Sequence, residues 1–221
     1  MSIRITMLLF PNLTQLDLTA PYEVLTRLPG AEVSLVWKSL ETVTSGTGLR
    51  LSPTSTLAEA APADVLFVPG GNGLVPLLRD PVVLEFVRRQ AATARYVSAV
   101  CTGSLLLGAA GLLEGYRATT HWAYHEFLQR CGAIPVRERV VIDRNRVTAG
   151  GVTAGLDFAL RLTAELCGEQ LARGIQLALE YDPEPPFDSG APERATPELR
   201  QIVLDRLAEA RRGYAELLPE R

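Results

Sequence analysis

Paired cysteines, clustered basic residues and long uninterrupted apolar spans are all missing from this chain, and each absence removes a class of protein. Its three cysteines, Cys101, Cys131 and Cys167, form an odd set without CxxC spacing, which argues against a disulfide framework and against a thiolate zinc site. Reduced thiols in a cytoplasmic setting are the expectation. The net charge is only −3 and the basic residues are scattered, so no positive field exists to attract a phosphate backbone, and nucleic acid is not an expected partner. The N-terminal apolar run from Ile3 to Phe10 is too short for a secretory core and lacks a small-residue cleavage site. The longest uncharged stretch, Tyr96 to Leu113, is interrupted by Ser98, Thr102, Gly103, Ser104, Gly108 and Gly111. A buried strand running into a buried helix explains it better than a membrane span. Neither Gly46-Thr47-Gly48 nor Gly71-Asn72-Gly73 extends into a GxGxxG or phosphate-loop pattern, so no cofactor is implied. Internal repeats and low-complexity tracts are also lacking.

What is present is enough apolar sequence, 47% of 221 residues, to build one substantial core. Runs rich in β-branched residues at Ile3 to Phe10, Glu32 to Trp37, Val65 to Val68, Tyr96 to Val100 and Val147 to Ala149 read as strands. Helical patterns lie between them, near Ala20 to Leu28, Pro81 to Ala94, Thr102 to Ala110, His121 to Cys131 and Thr153 to Ala178. Alternation of this kind predicts an α/β fold, a three-layer sandwich whose mostly parallel central sheet is covered on both faces. Thr42 to Leu51 and Val140 to Ala149 read as short hairpins or edge strands, the second turning at Asp143-Arg144-Asn145-Arg146. Residues Asp182 to Pro192 carry Pro183, Pro185, Pro186 and Pro192 and are expected to form an extended connector. A charged helix from about Pro197 to Leu217 should follow, packed on its own subunit or on a partner.

The sequence Tyr96-Val97-Ser98-Ala99-Val100-Cys101-Thr102-Gly103-Ser104 runs a strand directly into a helix with a cysteine at the junction. In a parallel sheet that junction lies at the carboxyl edge, where ligands bind. A sharp turn there exposes the side chain at a helix N-terminus, a setting that favours a thiolate. The competing reading is a buried structural thiol, which is the reading preferred for Cys131 and Cys167. Asp17 follows the first strand and reaches the same edge; by itself it reads equally as a helix cap. Gly70 and Gly71 end the Val65–Val68 strand, either as a plain turn or as an amide cradle that lets backbone approach a ligand. His121 and His125, four apart, lack a third ligand, so no metal site is assigned.

Five segments carry a resemblance to a known family: Leu13 to Leu25, Asp64 to Gly71, Ala99 to Ser104, Ala118-Thr119-Thr120-His121-Trp122, and Thr148 to Gly155. The chain resembles the ThiJ/PfpI superfamily, related in fold to class I glutamine amidotransferases and flavodoxin-like proteins, and within it the isonitrile hydratase branch. That resemblance implies a catalytic domain over residues 1–181, with 182–221 as connector and C-terminal helix. It also implies a catalytic Cys101 with Asp17 as acid and base, where other members commonly use glutamate. Thr102 stands where PfpI-like proteases carry histidine, which disfavours protease chemistry. Thr102 would orient water or substrate, Gly70 and Gly71 would cradle the intermediate, and His121 would line the pocket.

The implied reaction turns a small-molecule isonitrile and water into an N-substituted formamide through a Cys101 thioimidate, without cofactor or metal, in a homodimer. Two other functions stay open: a non-catalytic thiol sensor or ligand-binding regulator, and glyoxalase or deglycase chemistry on small carbonyls. Related regulators append a DNA-binding domain, and no helix-turn-helix pair fits after the core of this sequence.

Overall fold

The computed structural model describes residues 2–218. In chain order its elements are β1 (Ile3–Leu8), α1 (Gln15–Leu25), β2 (Ala31–Trp37), β3 (Val43–Thr44), β4 (Arg50–Leu51), β5 (Ser55–Thr56) and β6 (Val65–Val68). A 3₁₀ segment, Asn72–Arg79, leads to α2 (Pro81–Thr93), β7 (Tyr96–Val100), α3 (Gly103–Ala109) and β8 (Arg117–Ala118). A second 3₁₀ turn, Trp122–Tyr124, precedes α4 (Phe127–Arg130), β9 (Ile134–Pro135), β10 (Val140–Asp143) and β11 (Arg146–Ala149). The chain closes with α5 (Ala154–Cys167), α6 (Glu169–Ala178), α7 (Pro197–Arg206) and α8 (Ala208–Leu217).

Seven strands form the main sheet in the order β10-β11-β7-β6-β1-β2-β5. Every neighbouring pair is parallel except β10 with β11. All four residues of β6 are fully buried, as expected of a central parallel strand with helices on both faces. The fold is therefore the α/β sandwich read from the alternation of strands and helices. Both hairpins form, β3 with β4 and β10 with β11. Arg144, with φ of 55°, sits in the second turn.

The order of strands also locates a crevice. From β1 the chain moves to β2 on one side, whereas β6, β7 and β11 continue on the other. Such a reversal leaves an opening at the carboxyl ends of the two strands that flank it. Met7 pairs with Phe67, and Phe67 with Ser98, so β1, β6 and β7 end side by side. The segments that follow them carry Asp17, Gly70 and Cys101.

Several boundaries differ from the sequence reading. α1 begins at Gln15, not near Ala20, because Pro21 is carried inside the helix and packs on α5, where Gly155 leaves room for its ring. The expected single helix from Thr153 to Ala178 is split at Gly168, whose φ of 93° no helix interior accepts. His121 to Cys131 is a 3₁₀ turn plus the four-residue α4. The C-terminal helix is likewise two helices, bent at Leu207. Where a cap was legible the start is sharp: Asp80 accepts the Val82 and Val83 amides at 3.0 and 3.2 Å, with Pro81 in the first turn of α2.

Candidate active site

Cys101 stands immediately after β7 with φ of +57°, a left-handed conformation that costs a non-glycine residue of order 1–2 kcal/mol. Its neighbours hold it there. The Cys101 amide donates to the Ala149 and Gly150 carbonyls at 3.0 and 3.1 Å. Its carbonyl accepts the Thr120 hydroxyl at 2.8 Å and the Ser104 hydroxyl at 3.1 Å. Both backbone groups being satisfied, the strain is sustained by the surrounding loops and the side chain is turned out of the sheet toward the crevice.

Asp17 lies in the first turn of α1, and its cap reading does not survive: the cap position belongs to Thr14. The carboxyl group is 0% exposed, and neither oxygen has a hydrogen bond of full geometry. Burial pushes its pKa up to about 7, while the adjacent Cys101 thiol and Gly70 amide pull it back only in part. No cation is paired with it among the described residues.

Burial, reinforced by the negative charge of Asp17, also holds the Cys101 thiol well above its ordinary range, although the Thr102 amide and hydroxyl favour the thiolate. The helix N-terminus argument for a free thiolate is thus outweighed by desolvation. Below about pH 7 the pair holds two protons, and above it one, which stays with the thiol in the resting site.

Gly70 is where these groups meet. A Cβ built there would lie 2.7 Å from the Cys101 Cβ, and 2.8 Å from both the Asp17 Oδ2 and the Thr102 nitrogen. Gly71, at φ of 136°, donates its amide to the Thr102 Oγ1 at 3.0 Å. That amide is therefore occupied and does not face a ligand, contrary to the expected cradle. Thr102 is brought to the sulfur through both its amide and its hydroxyl.

His121 is placed differently from the rest. Its Nδ1 accepts the Ala123 amide at 3.2 Å, its ring stacks on Trp122, and its Cδ2 lies where a Gly151 Cβ would be. Burial pushes its pKa down to about 4, so the ring is neutral with its proton on Nε2. No hydrogen bond joins it to the sulfur. His125 does not share a helical face with it and instead meets the Val136 carbonyl through Nε2 at 3.0 Å. Among the described residues no cluster of His, Cys, Asp and Glu could hold a metal, and no helix is long and apolar enough to cross a membrane.

Three residues at the site were not singled out from sequence. Thr120 fixes the elbow carbonyl. Tyr124 and Tyr214 form a wall, rings edge to face at 5.2 Å, with His121 against Tyr124 at 5.7 Å. A cavity of about 300 Å³ opens beside the elbow, bounded by Thr120, Trp122, Gly150 and Gly151 and roofed by the connector at Gly190 to Arg194.

The arrangement can be compared with known proteins. Isonitrile hydratase of Pseudomonas putida is 60% identical over 195 residues, covering 88% of this chain and 86% of that protein. A crystal structure of a THiJ/PfpI family protein from Pseudomonas syringae superposes with a TM-score of 0.97 at 43% identity, covering 100% of this chain and 92% of the other. The HTH-type transcriptional regulator GbdR of Pseudomonas aeruginosa is 32% identical over 185 residues, 79% of this chain but 50% of the regulator. The DJ-1/PfpI family model matches residues 3–165, a span that contains the elbow, Asp17 and both glycines, and the chain belongs to the DJ-1/PfpI family.

Proposed function

We propose that this protein hydrates isonitriles to N-substituted formamides, with Cys101 as nucleophile and Asp17 as the proton carrier. The observation that carries the reading is the buried, unpaired Asp17 carboxyl group set against the strained Cys101; the hydratase relative of P. putida gives the substrate class. An isonitrile carbon needs both a nucleophile and a proton, and this pair holds one of each.

Asp17 first takes the thiol proton. The thiolate then forms an S–C bond to the terminal carbon, and the carbon lone pair takes the proton from Asp17, leaving a thioimidate, Cys101–S–CH=N–R, and an ionised Asp17. Water adds to the same carbon as Asp17 removes one of its protons and passes it to nitrogen. On collapse the C=O bond forms and the C–S bond breaks; the hydroxyl proton returns to Asp17 and the sulfur leaves as thiolate. One water is consumed and one formamide released, and no oxidant, metal or cofactor enters the balance. Covalent catalysis divides one difficult addition into two easier ones.

Mixing the protein with a simple aryl or alkyl isonitrile and following the formamide signal tests the reading. Steady formamide formation supports it, and none across several isonitriles overturns it. The GbdR resemblance favours one rival, a thiol-based ligand sensor, which predicts oxidation or capture at Cys101 with no turnover.

Two further results are expected. Below the Asp17 pKa of about 7 the pair holds both protons and has no base. Hence kcat/KM should rise about tenfold per pH unit approaching pH 7 and level off above it; a flat or falling profile would contradict the assignment. Gly70→Ala would force the Cys101 elbow away from Asp17, and a misplacement of that size should cost about 10²-fold in kcat/KM. Unchanged kinetics in Gly70→Ala would show that the close approach is not needed.

A further inference from the structure

The β3–β4 hairpin lies outside the main sheet, and none of its side chains enters the reaction scheme. It is nevertheless fastened to the loop that delivers Asp17. The Asn12 amide donates to the Thr44 carbonyl and the Gly46 amide to the Leu13 carbonyl, each at 2.9 Å. Further along, the Thr14 amide donates to the Gly70 carbonyl at 2.9 Å, and the Asp17 amide to the Thr14 carbonyl at 3.0 Å. The stretch from Asn12 to Asp17 is thus held between the hairpin and the glycine against which the Asp17 carboxyl group rests.

Gln15, the first residue of α1, adds a side-chain link across this junction. Its Oε1 accepts the Ser45 hydroxyl at 2.8 Å and the Thr47 hydroxyl as well. Ser45 is buried, and its oxygen already accepts the Leu49 amide at 3.0 Å. A hydroxyl at that depth is costly unless bonded, and Gln15 supplies the acceptor for its proton. The first turn of a helix ordinarily favours an acidic residue. Here a neutral amide takes both hydroxyls without setting a second negative charge near a buried acid.

We propose that Gln15 is a positioning residue for the proton carrier: bonded to Ser45 and Thr47, it latches the first turn of α1 to the β3–β4 hairpin and so holds the Asp17 carboxyl group in its buried place against Gly70 and Cys101. Residues two apart do not share a helix face, so Gln15 acts on Asp17 through the backbone of that turn. The effect on turnover rests on the hydratase reading, whereas the effect on Asp17 itself does not. The titratable groups that reach Asp17 are the Cys101 thiol and the Tyr214 phenol; α5 meets α1 with the uncharged Gly155 against Pro21 and Ala20.

The test follows thermal melting of the full chain at about pH 5 and about pH 8. It uses the parent, Gln15→Ala, the pair Ser45→Ala with Thr47→Val, the triple variant and Gln15→Glu, each also in an Asp17→Asn background. Thr42→Val, which removes the Thr42–Ser52 contact at the open end of the hairpin, is the control. The part of the melting-temperature loss between the two pH values that vanishes with Asp17→Asn belongs to Asp17, because its raised folded pKa makes stability fall as the pH rises through about 7. Without the latch, water reaches the first turn and the Asp17 midpoint should fall by about one unit. The Asp17 part should then shrink by about a third in Gln15→Ala. The hydroxyl pair should match it, and the triple variant should equal Gln15→Ala alone, because amide and hydroxyls act as one unit. Gln15→Glu keeps an acceptor for both hydroxyls and should not shrink the Asp17 part; Thr42→Val should keep that of the parent. A latch that served the fold alone would lower melting equally at both pH values and leave the Asp17 part unchanged.

In isonitrile hydration Gln15→Ala should lower kcat about tenfold with KM within about twofold, and should move the rise of kcat/KM about one unit to lower pH. An Asp17 part of parent size in Gln15→Ala or in the hydroxyl pair, effects that add in the triple variant, a shrunken part in Gln15→Glu, or a matching change in Thr42→Val would overturn the proposal. If the parent turns over no isonitrile, the hydratase reading fails while the melting series still decides the role of Gln15.

Discussion

Cys101→Ala is expected to lower isonitrile hydration by at least about 10⁴-fold while leaving the fold intact. Without the sulfur no covalent intermediate forms, and the remaining groups can only hold substrate and water near one another. Neither remaining cysteine can stand in. Cys131 is 3% exposed and fills the space beside Gly108, and Cys167 ends α5 on another part of the molecule. Alanine keeps a Cβ and hence the strain of the +57° elbow, so the melting temperature should stay near that of the parent. Circular dichroism together with the formamide assay separates loss of chemistry from loss of structure. A robust rate in Cys101→Ala would remove the covalent route.

Asp17→Asn should reduce kcat by about 10² to 10⁴, the usual contribution of a positioned acid or base, and should also stabilise the protein above pH 7. The folded pKa of Asp17, about 7, lies above the unfolded value of 3.8. Its contribution to stability is therefore fully present below about pH 4 and is lost as the pH rises through 7. At about pH 8 the ionised, buried and unpaired carboxylate costs of order 4 kcal/mol. Asparagine carries no charge and removes that cost, so the variant should melt at a higher temperature than the parent at pH 8, and the difference should shrink toward pH 4. A variant that is both active and less stable at pH 8 would deny Asp17 both roles. A residue that destabilises the fold while enabling turnover is the kind of trade expected at an active site.

Much of this site could be read before the structure. The strands β6 and β7 are short, apolar apart from Ser98 and flanked by turn residues, so their ends, and with them Gly70 and Cys101, are legible in the local sequence. Asp17 could be placed at the carboxyl edge because it follows β1, although its depth of burial could not, since that depends on α5 closing over α1. The protonation of Cys101 stayed open in the sequence for a related reason: helix polarity is local and legible, while desolvation is tertiary. The Gly71 amide was misjudged because its acceptor, Thr102, comes from the next loop of the sheet. Tyr214 gave no signal at all, because an aromatic residue in a charged C-terminal helix looks like any packing residue until the chain folds back onto Gly71. Helix breaks followed the same division: Gly168 carries a visible cause, whereas Leu207 does not.

The central claim, that the carbon of the substrate becomes bonded to Cys101 on the way to the formamide, is tested most directly by rapid acid quenching of the protein with an aryl isonitrile, followed by peptide mass spectrometry. The account predicts an adduct of one isonitrile mass on the Cys101 peptide alone, rising before formamide and decaying as substrate is exhausted. Steady formamide release with no adduct at any quench time, or with the adduct on another residue, would contradict it.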